Sequence, residues 1–270
     1  MAQLSYNDLL DAGVHFGHLT RKWDPKMAPY IFMEKNGIHI IDLNKTITNL
    51  EEASAAMRAI VRSGRKIMFV ATKKQAQEVV TAEASKLNMP YVTDRWLGGM
   101  LTNFATVRKS IKKMSSIDKM LKDEVIVKTL ANRERLMMTR EEEKLKRVLG
   151  GITELTRLPA ALFVVDVKRE HIAVSEAKKL GIPVFAMCDT NSNPELVDYP
   201  IPANDDAYKS ISVITSAIGK AIEEGLAERK QDKDDARVAE EEEAKRAVDN
   251  EAEIEAAKVA AKYEKEAEQE

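Results

Sequence analysis

The sequence contains a single cysteine, Cys188, and no long uninterrupted apolar run. One cysteine cannot form an internal disulfide bond or a cysteine-based zinc cluster, and this usage is typical of a reducing compartment. No apolar segment approaches the roughly 20 residues that span a membrane, and the first residues lack the pattern of a secretory leader. We therefore expect a soluble cytoplasmic protein with no membrane partner.

The common signatures of nucleotide-binding and hydrolytic enzymes are also missing. The sequence has neither a G-x-G-x-x-G nor a G-x-x-x-x-G-K-[ST] phosphate loop, and no G-x-S-x-G elbow. Asp166 and Asp189 follow apolar runs, where an aspartate most often caps a helix. Lys73 and Arg95 stand where cations can hold phosphate, so a phosphate-ligand-binding α/β enzyme or domain stays an alternative.

Charge is distributed unevenly along the chain, although the net charge is only −2. Residues 231–270 contain 15 acidic and 7 basic side chains, whereas residues 104–149 contain 13 basic and 7 acidic ones. The acidic end therefore masks a basic segment. Such a concentration of positive charge favours a polyanionic partner.

Continuous apolar runs predict a parallel β-sheet. The runs cover residues 66–72, 161–167 and 182–190, and uninterrupted hydrophobicity indicates strands that are covered on both faces. Shorter candidates at 38–42 and 91–95 bring the predicted sheet to about five strands.

Segments of helical length alternate with these strands, as they do where helices flank a parallel sheet. They cover residues 43–62, 73–87, 171–180 and 205–226. The alternation predicts an α/β domain.

Residues 104–149 interrupt this alternation. Apolar side chains recur there at helical spacing in two stretches, with a break near 123–129, and the other positions are rich in charge. The narrow apolar stripe predicts two antiparallel helices that project from the domain as a coiled-coil hairpin. Its cations are either a solvated surface or, with the concentrated charge, a contact for a polyanion.

Residues 229–270 are dominated by alanine, glutamate and lysine. This composition cannot bury enough apolar surface to offset the entropy lost on ordering. We expect an acidic tail that is disordered or loosely helical.

Residues 15–32, which we call the strap, mix histidines, cations and aromatic residues. His15 and His18 are three apart and could chelate zinc on a helix, but Gly17 weakens a helix, and further ligands would have to come from distant parts of the chain. Zinc is therefore an alternative, and we predict no resident cofactor. Cations beside aromatic rings suit contact with phosphates and bases of RNA, and a loop held over the core by Trp23 is the other interpretation.

Four long irregular strings carry a resemblance to a known family. They are GVHFGHLTRKWDPKMAPYIF, RWLGGMLTNFATVRKSI, LFVVDVKREHIAVSEAKKLGIPVFAMCDTNSNP and VDYPIPANDDAYKSI. In this order and spacing, from about Ala2 to Gly225, the chain resembles the family of bacterial small-subunit ribosomal protein two.

The resemblance implies a flavodoxin-like α/β domain with an inserted coiled-coil hairpin and no enzymatic activity. It implies a structural constituent of the small ribosomal subunit that contacts ribosomal RNA near the junction of head and body. Neighbouring ribosomal proteins would be partners, including the large first protein, which captures messenger RNA, and no small-molecule substrate is expected. Zinc binding reported in some members keeps the two histidines as metal candidates.

The expected domains are an α/β domain at 1–103 and 150–228, the hairpin at 104–149 and the tail at 229–270. The family's RNA-facing motifs, together with the cations beside them, predict a set of RNA-binding residues. The set consists of His15, His18, Thr20, Arg21, Lys22, Trp23, Lys26, Arg95, Trp96, Thr102, Asn103, Arg108, Lys109, Lys112 and Lys113. Which of them touch RNA and which support the loops is left open.

Overall fold

The computed structural model describes residues 5–123, 129–235 and 237. The chain divides into two compact units, Met1–Leu226 and Ala227–Glu270. In the second unit residues 227–235 and 237 are helical, and the rest of the predicted tail lies outside the described residues. Within the described ranges, none of the helices combines the length and apolar composition that crossing a membrane requires.

The first unit alternates strands with helices. Its strands are β1 (Phe16–Leu19), β2 (Ile31–Lys35), β3 (Ile38–Ile41), β4 (Ile67–Val70), β5 (Tyr91–Val92), β6 (Ala161–Val165), β7 (Val184–Cys188) and β8 (Tyr199–Pro202). Its helices are α1 (Tyr6–Asp11), α2 (Leu43–Arg62), α3 (Lys74–Lys86), α4 (Phe104–Lys122), α5 (Asn132–Leu149), α6 (His171–Lys179) and α7 (208–226). Short 3-10 turns cover Thr20–Lys22, Pro25–Tyr30, Gly150–Ile152 and Pro194–Leu196.

Five parallel strands form the central sheet, in the order β5-β4-β6-β7-β8. An aromatic residue from each strand occupies the same register, so one row crosses the whole sheet: Tyr91, Phe69, Phe163, Phe185 and Tyr199. Numbered by sequence, the strand order is 2-1-3-4-5, which is that of flavodoxin-like folds. The predicted α/β fold class is confirmed.

Helices cover both faces of this sheet, which explains why its strands are apolar without interruption. Phe69 and Phe163 pack on one face in a core shared with α2, α3 and α7, and their rings meet edge to face at 5.5 Å. Met68 and Leu162 point to the other face, where the core includes α6 and the buried Met27 of the strap.

The assignment of one predicted strand, residues 38–42, to the central sheet is wrong. Ile38–Ile41 pairs instead with β1 and β2 in a separate antiparallel sheet, ordered β1-β3-β2. The fifth parallel strand is β8, which the sequence analysis did not identify. Its prolines, Pro200 and Pro202, lower the strand propensity, but an edge strand tolerates residues that lack an N–H donor.

Both helices predicted within 104–149 are present, as α4 and α5, and they contact one another. Residues 124–128 of the predicted break lie outside the described residues. The coiled-coil character of this pair, and its standing as a domain separate from 1–103 and 150–228, stay predictions.

Candidate nucleic-acid interface

The strap is fastened to the carboxyl end of β7. The backbone N–H groups of His18 and Asp24 donate to the side-chain and backbone oxygens of Thr190, each at 2.8 Å. Gly17 lies so close that an added Cβ would stand 2.6 Å from the Thr190 methyl group. Such a close approach of backbone to a neighbour requires glycine. The first part of the strap is therefore held in place by the fold itself.

Residues 26–29 of the strap are held by burial and by contacts with two other segments of the chain. Met27 is completely buried, the Lys26 ammonium contacts the carboxylate of Glu195, and the Lys45 ammonium donates to the carbonyl of Pro29. Because Lys26 already has a carboxylate partner, less of its charge is available to an external anion.

The outer surface of the strap carries cations and an aromatic ring. Arg21 and Lys22 are exposed, and within the part of the chain that the structure describes no carboxylate oxygen lies within 4.0 Å of either charge. Trp23 is 38% exposed, and its ring centroid lies 5.0 Å from that of His39. Thr20 is half-buried, and its N–H donates to the carbonyl of Gly37.

The two histidines of the strap do not form a pair. The ring of His15 packs 4.0 Å from that of Phe16, and partial burial lowers its pKa. Among the described residues, the group of potential metal ligands around His18 does not include His15. Zinc binding at these two histidines stays a prediction, and only His18 lies beside other potential ligands.

His18 lies instead among carboxylates. Its Nδ1 is 3.0 Å from Asp189 Oδ2, its Nε2 is 3.4 Å from Asp206 Oδ2, and Asn191 Nδ2 lies 3.1 Å from the same Nε2. The contact with Asp189 raises the pKa of His18, and partial burial opposes the shift.

A buried lysine neutralises part of this acidic cluster. Lys73 Nζ lies 2.7 Å from Asp205, 2.5 Å from Asp206 and 3.7 Å from Asp166. Burial alone would lower the pKa of Lys73, but the attraction of Asp205 and Asp206 outweighs burial and raises it. Burial raises the pKa of the Asp205 carboxyl to about 7, with Asp189 and Asp166 adding to the effect.

The cluster has donor atoms suited to a divalent cation. His18, Asp189, Asp205 and Asp206 each offer one ligand atom, and these atoms lie within 4.8 Å of one another. One imidazole nitrogen and three carboxylates are ligands that zinc accepts. A metal here would compete with the Lys73 ammonium for Asp205 and Asp206.

The same cluster argues against the alternative of a phosphate-ligand-binding enzyme. Flavodoxin-like sheets bind ligands in the crevice where the strand order reverses, which here lies between β4 and β6. Lys73 follows β4 and Asp166 follows β6. Because the lysine is engaged by carboxylates, and because carboxylates outnumber cations there, this crevice disfavours an anion.

Glu176 organises the turn at 95–103. Its carboxylate accepts hydrogen bonds from the backbone N–H groups of Gly99 (2.7 Å), Leu101 (3.0 Å) and Thr102 (3.0 Å). The hydroxyl of Thr102 and the indole Nε1 of Trp96 also donate to it, each at 3.1 Å. Burial alone would raise the pKa of Glu176, but these donors outweigh burial and lower it.

The residues of the turn that were expected to bind RNA differ in their exposure to solvent. Trp96 is only 6% exposed, so its indole supports the turn from inside and offers no stacking surface. Arg95, Thr102 and Asn103 are exposed. Their expected RNA contacts stay predictions, whereas Trp96 would act only by holding the turn.

The four expected cations of α4 also differ from one another. Arg108 Nη1 donates to the carbonyl of Thr156 at 3.0 Å, and the Lys113 ammonium contacts Glu141 of α5. Lys109 and Lys112 are exposed, and no carboxylate of the described residues lies within 4.0 Å of their charges.

Two features of this region escaped the sequence analysis. Asp205 and Asp206 join the His18 cluster only because β8 is a strand of the central sheet, and its prolines hid that strand. Glu176 looks like an ordinary charged residue of a solvated helix face, and no sequence signal marks it. Only the adjacent pair Asp205 and Asp206 in the sequence hints at an acidic cluster after β8.

Comparison with known proteins identifies the family. The model of the ribosomal protein S2 family matches residues 9–225. The small ribosomal subunit protein uS2 of Cytophaga hutchinsonii is 72% identical over 92% of this chain and 97% of that protein. The proteins of the same name from Parabacteroides distasonis and Flavobacterium psychrophilum are each 61% identical, over 89% and 86% of this chain and 86% and 87% of their own lengths. The chain belongs to the ribosomal protein S2 family.

Proposed function

We propose that this protein binds ribosomal RNA through its strap and so helps to build the small ribosomal subunit in the cytoplasm. As a member of its family the chain is a structural constituent of the small ribosomal subunit and not an enzyme. To this family role we add the strap as the surface that contacts ribosomal RNA. It includes a position near the junction of head and body and contacts with neighbouring ribosomal proteins, among them the large first protein.

The proposal rests on exposed cations that lie beside an exposed aromatic ring on a segment held by the fold. Arg21 and Lys22 are exposed and have no carboxylate oxygen of the described residues within 4.0 Å, although the charge of Lys22 contributes to lowering the pKa of Asp206. Trp23 beside them keeps part of its indole accessible. Arginine and lysine supply most phosphate contacts to RNA, and aromatic rings stack on unpaired bases. Because the fold holds the strap, little ordering entropy is lost on binding.

Two exposed phenylalanines of the strap itself support a contact with a neighbouring protein. Phe32 is 71% exposed and Phe16 is 49% exposed, both on strands of the antiparallel sheet. Aromatic side chains are enriched in protein interfaces, and exposed apolar surface of this kind often marks one.

The test is the salt dependence of binding to the small-subunit ribosomal RNA. A protein that neutralises phosphates releases counterions, so log K falls as log salt rises, and each lost contact makes this negative slope shallower by about 0.7 to 0.9. We expect the double variant Arg21→Ala, Lys22→Ala to make the slope shallower by about 1.4 to 1.8. Lys26→Ala should change it less, because Glu195 already pairs with Lys26.

The matched control is Lys66→Ala with Lys179→Ala, two exposed lysines before β4 and at the end of α6 that have no carboxylate oxygen of the described residues within 4.0 Å. This control should leave the slope unchanged. A strap variant that keeps the wild-type slope would remove the strap from the RNA interface.

A further inference from the structure

A groove runs between α2 and α7, with α1 at its edge. The two helices approach closely at Gly225, where an added Cβ would stand 2.8 Å from the carbonyl oxygen of Arg58. N-terminal to this contact, their side chains leave a groove of about 560 Å³. None of residues 15–32, the strap, lines it. The groove is therefore a separate surface of the first unit.

The spacing of its lining residues makes the groove elongated. On α2 the lining positions are 47, 50, 51 and 54, and on α7 they recur every four residues from Ser212 to Glu224. Side chains at such intervals share one face of a helix. The α7 stripe covers twelve steps of about 1.5 Å, or about 18 Å along the axis. This length matches about three turns of a partner helix.

The floor of the groove is apolar and its side chains are small or of medium size. Leu50 and Ala221 are buried, whereas Ile47, Val213 and Ala217 are half-buried and still contact water. A partner that covers these residues removes apolar surface from water, which is the main favourable contribution to most protein association. Amphipathic helices bind other proteins in apolar grooves of this kind.

The rim of the groove is acidic. Four carboxylates and one ammonium line it, which gives an excess of three negative charges: Asp8 and Asp11 of α1, Glu51 of α2, and Glu224 and Lys220 of α7.

Two of these carboxylates lack a cationic partner. Glu224 contacts Arg58 at 3.3 Å, whereas Asp11 and Glu51 are exposed. In the part of the chain that the structure describes, no basic nitrogen lies within 4.0 Å of either of the latter two. Their charge is therefore available to a partner.

The charge of the rim selects among possible occupants. It repels the phosphates of RNA, and it also repels residues 231–270 of this chain, which contain 15 acidic and 7 basic side chains. A second copy that docked the same groove face to face would place acidic rims against one another. A cationic segment of a different protein is the occupant that the charge favours.

We propose that the groove between α2 and α7 docks an amphipathic helix of another protein, with its apolar stripe on the floor and lysines or arginines on the acidic rim. The proposal rests on the contacts with neighbouring proteins that are part of the proposed function, and it names a surface and a partner chemistry for one of them. It does not depend on RNA binding by the strap.

The first experiment uses two synthetic peptides and the full chain. One is a helix of about 18 residues built from leucine, alanine and lysine, with leucine at every third or fourth position, and the other has glutamate in place of every lysine. By fluorescence anisotropy the lysine peptide should bind about tenfold more tightly than the glutamate peptide, and added salt should weaken its binding. Equal affinities for the two peptides, or no binding of either, overturn the proposal.

Groove variants then show where the lysine peptide binds. The pair Asp11→Asn, Glu51→Gln should lower its affinity about 3- to 10-fold, because two exposed ion pairs are lost. The matched pair Glu52→Gln, Glu78→Gln, at exposed acids outside the groove, should leave the affinity unchanged.

A steric variant tests the floor in the same assay. Ala217→Arg places a long cation in the groove and should abolish binding of the lysine peptide. The charge pair replaces only exposed side chains, so the test stands even if Ala217→Arg does not fold. Wild-type affinity in the charge pair, or equal losses in the charge pair and its control, would overturn the proposal. The salt dependence of RNA binding by the strap variants is a separate measurement, so failure of the groove and failure of the proposed function are distinguishable.

The second experiment identifies the occupant in reassembled small subunits. Cys188 is completely buried, so Ser54→Cys creates a thiol in the groove that can carry a short photoreactive group. We expect a cross-link to a protein segment that is rich in lysine or arginine and has apolar residues at helical spacing. A probe at Ala82→Cys, an exposed position of α3, should not give this product. A cross-link to RNA, a cross-link to an acidic segment, or no product beyond those of the Ala82→Cys probe overturns the proposal.

Discussion

Replacing Glu176 should loosen the turn at 95–103 and destabilise the whole first unit. The carboxylate receives five hydrogen bonds from four residues, three of them from backbone N–H groups of a turn that leads into α4. In Glu176→Ala these buried or half-buried donors lose their acceptor together. The turn then has to admit water or change its conformation.

The size of the effect follows from the number and charge of these bonds. A hydrogen bond to a charged group contributes about 1.5 to 3 kcal/mol, and leaving a buried donor unpaired costs about 1 to 3 kcal/mol. Because such values do not add fully, we expect Glu176→Ala to lower the free energy of unfolding by about 3 to 5 kcal/mol. Glu176→Gln, which keeps one acceptor oxygen, should lose about 2 kcal/mol.

The assay is urea unfolding followed by circular dichroism and by tryptophan fluorescence, to which Trp96 contributes. Glu78→Gln on the exposed side of α3 is the matched control and should change the free energy of unfolding by less than about 0.5 kcal/mol. If Glu176→Ala unfolds at the same urea concentration as the wild type, the carboxylate does not hold the turn.

The pH dependence provides a further check of the same prediction. The donors lower the pKa of Glu176 in the folded state below its usual value, so the folded state favours the ionised form. Its contribution is therefore fully present above the unfolded pKa of about 4.3 and is lost as the pH falls through the folded value. The difference in stability between wild type and Glu176→Gln should be constant from pH 6 to 8 and shrink below about pH 4. A difference that grows on acidification would refute this account.

Two further predictions concern the carboxyl end of the sheet and the strap. Lys73→Met removes the ammonium that pairs with Asp205 and should lower the free energy of unfolding by about 3 kcal/mol, whereas Lys74→Met, at an exposed neighbour, should have almost no effect in the same urea titration. Equal stabilities of the two variants would show that Lys73 does not neutralise the cluster. Gly17→Ala forces a Cβ against Thr190 and should cost about 1 to 3 kcal/mol by thermal unfolding, whereas Gly98→Ala, where a Cβ meets no atom within 4 Å, should cost less. A Gly17→Ala protein as stable as the Gly98→Ala protein would mean that the strap does not lie tightly on β7.

The strands of the central sheet were predictable wherever burial left a strong pattern. β4, β6 and β7 are apolar without interruption because helices cover both faces, and a long helix such as α2 has the bounds that its periodicity predicts. β8 was missed because its two prolines, tolerated at the edge of the sheet, resemble a loop. β3 was assigned to the wrong sheet because local sequence does not encode a strand's partner.

The candidate site was only partly predictable for a related reason. The exposed cations of the strap were identified from composition and order, and the structure places Arg21 and Lys22 on the surface. Lys26 could not be distinguished from them, since Glu195 lies 169 residues away in sequence. Glu176 and the His18 cluster also depend on contacts between distant segments, which a single sequence does not reveal.

We expect the strap to hold this protein on the small subunit through contacts with ribosomal RNA. Small subunits depleted of this protein are recombined with one of three chains: the wild type, the Arg21→Ala, Lys22→Ala variant, or the Lys66→Ala, Lys179→Ala control. Sedimentation through sucrose at rising salt then gives the concentration at which each chain is released. We expect the strap variant to leave the subunit at a lower salt concentration than the wild type and the control. Release of all three at the same salt concentration would contradict it.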